Sequence, residues 1–328
     1  MTLSRVGITL GDVNGIGPEL VVKLFARHDP AQWCAPVVLG STQALQRASE
    51  LCSDCPPIVS LSSLIAPAPP DCIPVYDAGV RGPEVRYGVL DPEAGHSAIA
   101  WIEAATRGCM DGTLAAMVTC PISKECIYRA GYHYIGHTEL VAELTGAPDY
   151  RMCLFTDTMR IVHITGHLSL RDALDCVKKD RIVRSVEIGH DALRKMGFAM
   201  PRIGVAGLNP HAGEAGAFGR EEIEEIRPAV EACIAMGMVC SGPYPPDTIF
   251  RKMQEGELDM VIAMYHDQGH IPLKLLAMDE GVNVTLGVPV VRTSVDHGTA
   301  FDIAGKGLAR ESSLVAALKL AVSLGSQS

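Results

Sequence analysis

Apolar residues along this chain fall into short runs separated by longer amphipathic stretches. The runs Arg5–Leu10, Ala35–Gly40, Thr113–Thr119, Met159–Thr165, Pro201–Leu208, Met260–Tyr265 and Val284–Val291 have the length and β-branched content of buried strands. Helical spacing marks Glu19–Arg27, Ser41–Cys52, Asp91–Arg107, Ala173–Met196, Arg220–Met236 and Ser312–Ser323. Residues 53–90 are proline-rich and poorly periodic, which predicts loops. Strand and helix alternating in this way predict an α/β fold whose strands run parallel, with their carboxyl ends along one edge. That edge is where open α/β sheets bind ligands. At 328 residues the chain exceeds the size at which one core usually stops growing, so two lobes are expected.

Composition narrows the classes. Apolar residues make up 48% of the chain, yet no run approaches the roughly 20 needed for a membrane span. Met1–Val6 runs straight into a strand pattern without the layout of a signal peptide, so a cytoplasmic protein is expected. A net charge of −10 argues against nucleic-acid binding, and any anionic ligand must be held by a few local cations. The eleven cysteines sit mostly inside apolar runs, as free thiols do in a reducing compartment. Cys52 and Cys55 have redox-motif spacing, but Pro56-Pro57 follows, and a surface loop is the better reading.

Chemistry collects at the strand ends. Met159–Thr165 delivers His167, Pro201–Leu208 delivers His211, and Met260–Tyr265 delivers His266. Three neutral imidazoles with a vacant fourth position describe a site for zinc or a similar divalent ion. The competing reading is three unrelated polar caps. Asp247 and Asp267 are placed to orient imidazoles or move protons. His163 lies within its strand and reads as core. Ser123 and Lys124 follow another strand end. Further on, Lys274, Asn283 and Arg292 gather cationic and polar groups suited to a phosphate or carboxylate. Gly11–Glu19 is a glycine-rich turn, with Pro18 suited to a helix start; it lacks the ending of a phosphate loop.

Taken together, Gly11-Asp12 with Gly15–Glu19, Gly136–Glu139, Leu208–Glu214, Tyr265–Gly269 and Arg292–Ala300 resemble the 4-hydroxythreonine-4-phosphate dehydrogenase family over essentially the full length. The resemblance implies the two-domain fold of isocitrate and isopropylmalate dehydrogenases, with three-layer α/β/α lobes and the active site in their cleft. Residues 1–130 with 272–328 would form one lobe and 131–271 the other, in a homodimer. It implies that His167, His211 and His266 bind one divalent metal (zinc, or else magnesium or cobalt), and that His137, Thr138, Lys274, Asn283 and Arg292 hold the substrate. His297–Gly307 looks like the adenosine loop of isopropylmalate dehydrogenases, which assigns His297, Gly298, Thr299, Ala300 and Asp302 to NAD or NADP.

The implied reaction is oxidation and decarboxylation of a small 4-phosphorylated 3-hydroxy acid, with Asp247, Asp267 and Lys124 as candidate bases. The substrate expected first is 4-hydroxythreonine 4-phosphate. The alternative is 4-phospho-threonate or 4-phospho-erythronate, because His270–Lys274 and Phe301–Gly307 look more like that sibling group, and His270 is the residue suspected of discriminating. At the first loop Val13-Asn14 stands where the family usually has Pro-Ala. A phosphotransacylase and a noncatalytic phosphate-binding module are the readings from other classes.

Overall fold

In a computed structural model, residues 3–277 and 280–326 are described. The chain divides into two compact units, Met1–Pro148 with Val288–Ser328, and Asp149–Gly287. Both junctions fall later than the expected 130/131 and 271/272. The helix His137–Thr145 packs on the long helix Pro92–Met110 of the first unit, and the strand that contains Asn283 pairs inside the second.

The first unit is built on strands β1 (Arg5–Thr9), β2 (Ala35–Leu39), β3 (Ile58–Ser60), β4 (Ile73–Tyr76), β5 (Ala116–Thr119) and, from the end of the chain, β12 (Arg292–Val295). Their order is β3-β4-β2-β1-β5-β12, and the pairings are parallel. β1 and β5 are almost wholly buried, and this explains why they read as unbroken apolar runs. Helices α1 (Gly17–Arg27), α2 (Thr42–Ser49), α3 (Pro92–Met110), α4 (Lys124–Arg129), α5 (His137–Thr145) and α11 (Ser312–Gly325) cover them. α1 packs on α2 and α11, while α3 gathers α4 and α5. Ser123 caps α4 by accepting from Cys126 N, and Asp91 caps α3 by accepting from Glu93 N.

The second unit contains β6 (Arg151–Phe155), β7 (Arg160–His163), β8 (Arg202–Ala206), β9 (Val239–Tyr244), β10 (Met260–Ala263) and β11 (Val282–Leu286), ordered β11-β6-β7-β10-β8-β9. β7, β10, β8 and β9 are parallel, whereas β6 pairs antiparallel with both β7 and β11. Helices α6 (Leu170–Asp175), α7 (Lys179–Lys195), α8 (Arg227–Ala235), α9 (Ile249–Gln254) and α10 (His266–Ala277) complete it.

Several expected elements are corrected. The helix expected over Ala173–Met196 is two, broken between Asp175 and Lys179. The strand expected over Val284–Val291 stops at Leu286. There Gly287 takes φ +89, and a Cβ on it would come within 2.6 Å of Asp149 O. Arg292 therefore opens β12 instead of ending the preceding strand. Among the described residues no helix is long and apolar enough to cross a membrane.

Candidate active site

β7, β10 and β8 are adjacent and parallel, so the segments that leave their carboxyl ends start side by side. His163 closes β7 and is buried, as expected of a core residue. Its Nδ1 lies 3.2 Å from Met152 O on β6. A carbonyl only accepts, so Nδ1 carries the hydrogen and Nε2 is left as an acceptor. His270 Nδ1 stands 3.2 Å from that Nε2 and 3.1 Å from His266 O, and it must be the donor to both. Burial pushes His163 down to about 3 and His270 down to about 4, the neighbouring imidazoles adding to both, so the two rings are neutral.

The His270 ring stacks on His266 with centroids 3.6 Å apart and an 11° tilt. His266 Nδ1 donates to Asp267 Oδ1 at 2.7 Å, which leaves its Nε2 with a free lone pair. This is the imidazole–carboxylate arrangement that orients a metal-ligating histidine. The His167 ring lies 5.4 Å from that of His266, centroid to centroid. His270 is thus committed to the interior, where it supports His266 from behind.

His211 stands on a different device. From His211 to Ala215 every residue has positive φ, a left-handed turn that L residues avoid. Glu222, buried in a π-helical turn (Glu222–Ile226), holds the start of that segment: Leu208 N and Asn209 N donate to its Oε1 at 2.8 and 2.7 Å, and Asn209 Nδ2 donates to its Oε2 at 2.9 Å. The His211 ring tilts toward Phe218. Two of the three candidate ligands, His167 and His266, come together. Among the described residues, no three His, Cys, Asp or Glu side chains are gathered closely enough to hold a metal. The donor chemistry nevertheless fits a zinc-type ion, with imidazole nitrogens and one ring already oriented by a carboxylate.

Elsewhere in this unit, Asp247 is exposed in the turn before α9, and Lys274 is exposed on α10. Asn283 is half-buried in β11. The Asp267 carboxyl is held below its usual range by its bond from His266.

In the first unit, Arg292 is buried at the start of β12, and its Nε and Nη2 donate to Thr119 Oγ1 at 3.1 and 2.7 Å. Burial lowers this guanidinium to about 9, with Glu139 opposing, so it stays charged at neutral pH. His137 and Thr138 open α5, whose first-turn N–H groups suit an anion. His137 Nε2 is buried with no hydrogen-bond partner among the described residues, and burial and Arg292 hold the ring well below its ordinary pKa. A neutral imidazole, a helix start and a buried guanidinium make a site for phosphate or carboxylate oxygens. Lys124 is exposed at the start of α4.

The loop after β12 is tied to the glycine-rich turn after β1. Ile16 N donates to Thr299 O at 3.1 Å, and a Cβ on Gly15 would come within 2.9 Å of the same oxygen. Lys23 on α1 donates to Gly307 O and Ala309 O at 2.8 and 2.6 Å and pairs with buried Glu19 at 2.7 Å. The ring of Tyr87 occupies the space beside Gly305 where a Cβ would stand. His297, Gly298 and Asp302 are exposed, Thr299 and Ala300 are half-buried, and nothing lies within 4 Å of where a Cβ on Gly298 would be. That leaves an open backbone surface at Gly298, where an approaching ligand would meet no clash.

Asn14, at one of the two positions that depart from the family pattern, bolts this region together. Its Oδ1 accepts from Arg86 N at 2.7 Å and its Nδ2 donates to Val89 O at 3.0 Å. Sequence reasoning singled out Asn14 only as a departure from the family pattern and did not find Lys23 or Glu222, because the bonds of each reach beyond its own local segment.

Residues 32–321 match the family model described as pyridoxal phosphate biosynthetic protein PdxA. A D-threonate 4-phosphate dehydrogenase from Cupriavidus necator is 44% identical, covering 99% of this chain and 98% of its own. A 4-hydroxythreonine-4-phosphate dehydrogenase from Desulfosudis oleivorans is 42% identical, covering 97% and 95%. The crystal structure of a 4-hydroxythreonine-4-phosphate dehydrogenase from Klebsiella pneumoniae superposes with a TM-score of 0.88 at 42% identity, covering 98% and 99%. At 14% identity and a TM-score of 0.51, a β-decarboxylating dehydrogenase from Thermococcus kodakarensis shares the fold alone.

Proposed function

The chain belongs to the PdxA family and is a dehydrogenase acting on a CH–OH group, and from that premise we propose that it oxidises and decarboxylates D-threonate 4-phosphate or its erythronate epimer. Oxidation at carbon 3 gives a 3-keto acid. Loss of its carboxylate as CO2 leaves dihydroxyacetone phosphate. The observation that carries this choice is the naming of its relatives: those from Cupriavidus necator and Pectobacterium atrosepticum, each 44% identical, are D-threonate 4-phosphate dehydrogenases. 4-Hydroxythreonine 4-phosphate is the second reading, favoured by the relative from Desulfosudis oleivorans at 42%.

His167, His211 and His266 are the residues we assign to a divalent ion, zinc before magnesium or cobalt, and His297, Gly298, Thr299, Ala300 and Asp302 to NAD or NADP. When bound, these groups supply a Lewis acid and a hydride acceptor. Asp267 fixes the tautomer of His266, and His270 fixes the plane of its ring. Arg292, His137 and Thr138 receive one anionic end of the substrate, with Lys274 and Asn283 serving its remaining polar groups. The 3-hydroxyl proton passes to Asp247, Asp267 or Lys124. Of these, Asp267 is already engaged by His266, so Asp247 and Lys124 are the better candidates.

We take the working form to be a cytoplasmic homodimer. The exposure of Ile271 at 64% and Leu275 at 82% on α10 supports a face covered by a second copy. The substrate reading is tested by kcat/KM for the threonate and hydroxythreonine phosphates side by side. A preference for the amino acid would replace the first reading by the second.

A further inference from the structure

A cavity of about 500 Å³ opens in the first unit near the amino ends of β1 and β2, lined among others by Arg5, Phe25, His28, Cys34 and Val37. Arg5 is the first residue of β1 and Ala35, which also lines the cavity, the first of β2. The glycine-rich turn and Arg292's partner Thr119 lie at the opposite, carboxyl ends of β1 and β5, so this cavity is separate from the groups assigned to substrate and cofactor.

Its polar contents are unequal. Arg5 Nε is buried and has no hydrogen-bond partner among the described residues. A guanidinium nitrogen taken out of water without an acceptor is costly to leave unmade. Asp29, also on the wall, is not that acceptor: it faces its own turn, its Oδ1 accepting from Ala31 N at 3.2 Å and its Oδ2 from Gln32 Nε2 at 3.0 Å, and among the described residues it makes no ion pair with Arg5. Cys34 Sγ is turned to Pro30 O. His28 is engaged with Glu311 at 3.6 Å. Asp71, exposed at the rim, and Cys72 are the other polar lining residues, and the remainder of the wall is apolar, with Phe25, Pro30, Pro36 and Val37 among it. The volume is that of a small-molecule site.

We propose that this cavity binds a monocarboxylate with a flat apolar body, its carboxylate accepting from the Arg5 guanidinium and its body lying against Phe25 and Val37. Arg5 supplies the planar donor fork that a carboxylate matches, and the apolar wall supplies affinity that a bare anion does not gain. The inference stands independently of the reaction proposed above, because it uses none of the residues assigned to that chemistry.

The probe is 2-naphthoate, titrated calorimetrically into the full-length protein, with 2-naphthamide and inorganic phosphate as controls. Saturable one-to-one binding of naphthoate is expected, with naphthamide weaker by about 10–100-fold, the worth of hydrogen bonds to a charged partner. Arg5→Leu should abolish the difference between naphthoate and naphthamide, and Arg5→Lys should restore part of it. Ala31→Trp, a change at an exposed lining residue that leaves Arg5 in place, should block both ligands. All three variants should keep the dehydrogenase turnover of the parent, and this also reports that they fold. The proposal is overturned by no saturable binding to the parent protein, by equal affinity for naphthoate and naphthamide, or by undiminished binding in Ala31→Trp. Phosphate binding as tightly as naphthoate would overturn the ligand class, since the apolar wall would then contribute nothing.

Discussion

Glu222 is remote from His211 in the chain, yet three donors of the segment that leads into the left-handed turn end on its carboxylate. Consecutive non-glycine residues at positive φ are strained, and such strain persists only where the surroundings enforce it, commonly at functional sites. Glu222→Ala should therefore let the turn relax and carry His211 away from its position. Zinc affinity, measured by competition with a chelating dye, should fall by about 10–100-fold, the usual size of an orienting-residue effect. Unchanged affinity would separate His211 from the metal. Asp12 offers a second test at this scale. Its carboxyl is buried, Oδ2 lacks a partner among the described residues, and burial, helped by Asp91, raises it from 3.8 to about 6. A raised acid favours the folded state while protonated, so that stability is fully present below pH 3.8 and is lost as pH rises through about 6. Denaturant unfolding of the parent against Asp12→Asn should show the difference in stability shifting by about 3 kcal/mol across that window, in the direction of a relatively weaker parent at neutral pH. A flat difference would mean that Asp12 is not the titrating group.

At the scale of elements, the parallel strands were legible because a strand covered on both faces is written as an uninterrupted apolar run. Their carboxyl-end histidines were legible for the same reason, since a polar residue directly after such a run is conspicuous. The hairpin of β6 and β7 was not. Its strands are separated only by Asp157 and its neighbours, and no glycine marks the turn. The left-handed turn at His211 was equally hidden, because alanine and glutamate at Ala212, Glu214 and Ala215 carry no propensity for positive φ. His137 and Thr138 read as an ordinary helix start and became candidates only through the family resemblance. The role of His270 as a reader of substrate was a reasonable expectation from its position, but its hydrogen bonds turn it toward His163 and the His266 carbonyl. His270→Leu should consequently weaken metal binding while leaving the ratio of kcat/KM for the two substrates unchanged; a changed ratio would return it to the substrate. The two loops of the first unit make a further prediction. A methyl group at Gly15 would press on Thr299 O. Gly15→Ala should raise KM for the nicotinamide cofactor about tenfold or more, with a smaller effect on kcat, since displacement of a positioning element by an ångström or so costs up to about 100-fold. Equal affinity in the variant would detach residues 297–302 from cofactor binding.

The whole molecule carries a net charge of −10, so attraction of a phosphorylated acid cannot come from its overall field. It has to come from a few cations held in place, of which Arg292 is buried and fixed by Thr119. The second unit brings imidazoles of the kind a divalent ion takes, and the first brings the anion groups and the loop suited to a dinucleotide. Each set alone would describe a binding protein; a chain that carries both suits the oxidation and decarboxylation proposed above. The most direct measurement is therefore one in which both products are counted. Protein stripped with a chelator and then supplied with zinc, NAD⁺ and D-threonate 4-phosphate should form reduced nicotinamide and CO2 in equal amounts, and neither before zinc is restored. Reduction of nicotinamide without CO2, or equal turnover in the stripped protein, would contradict the account.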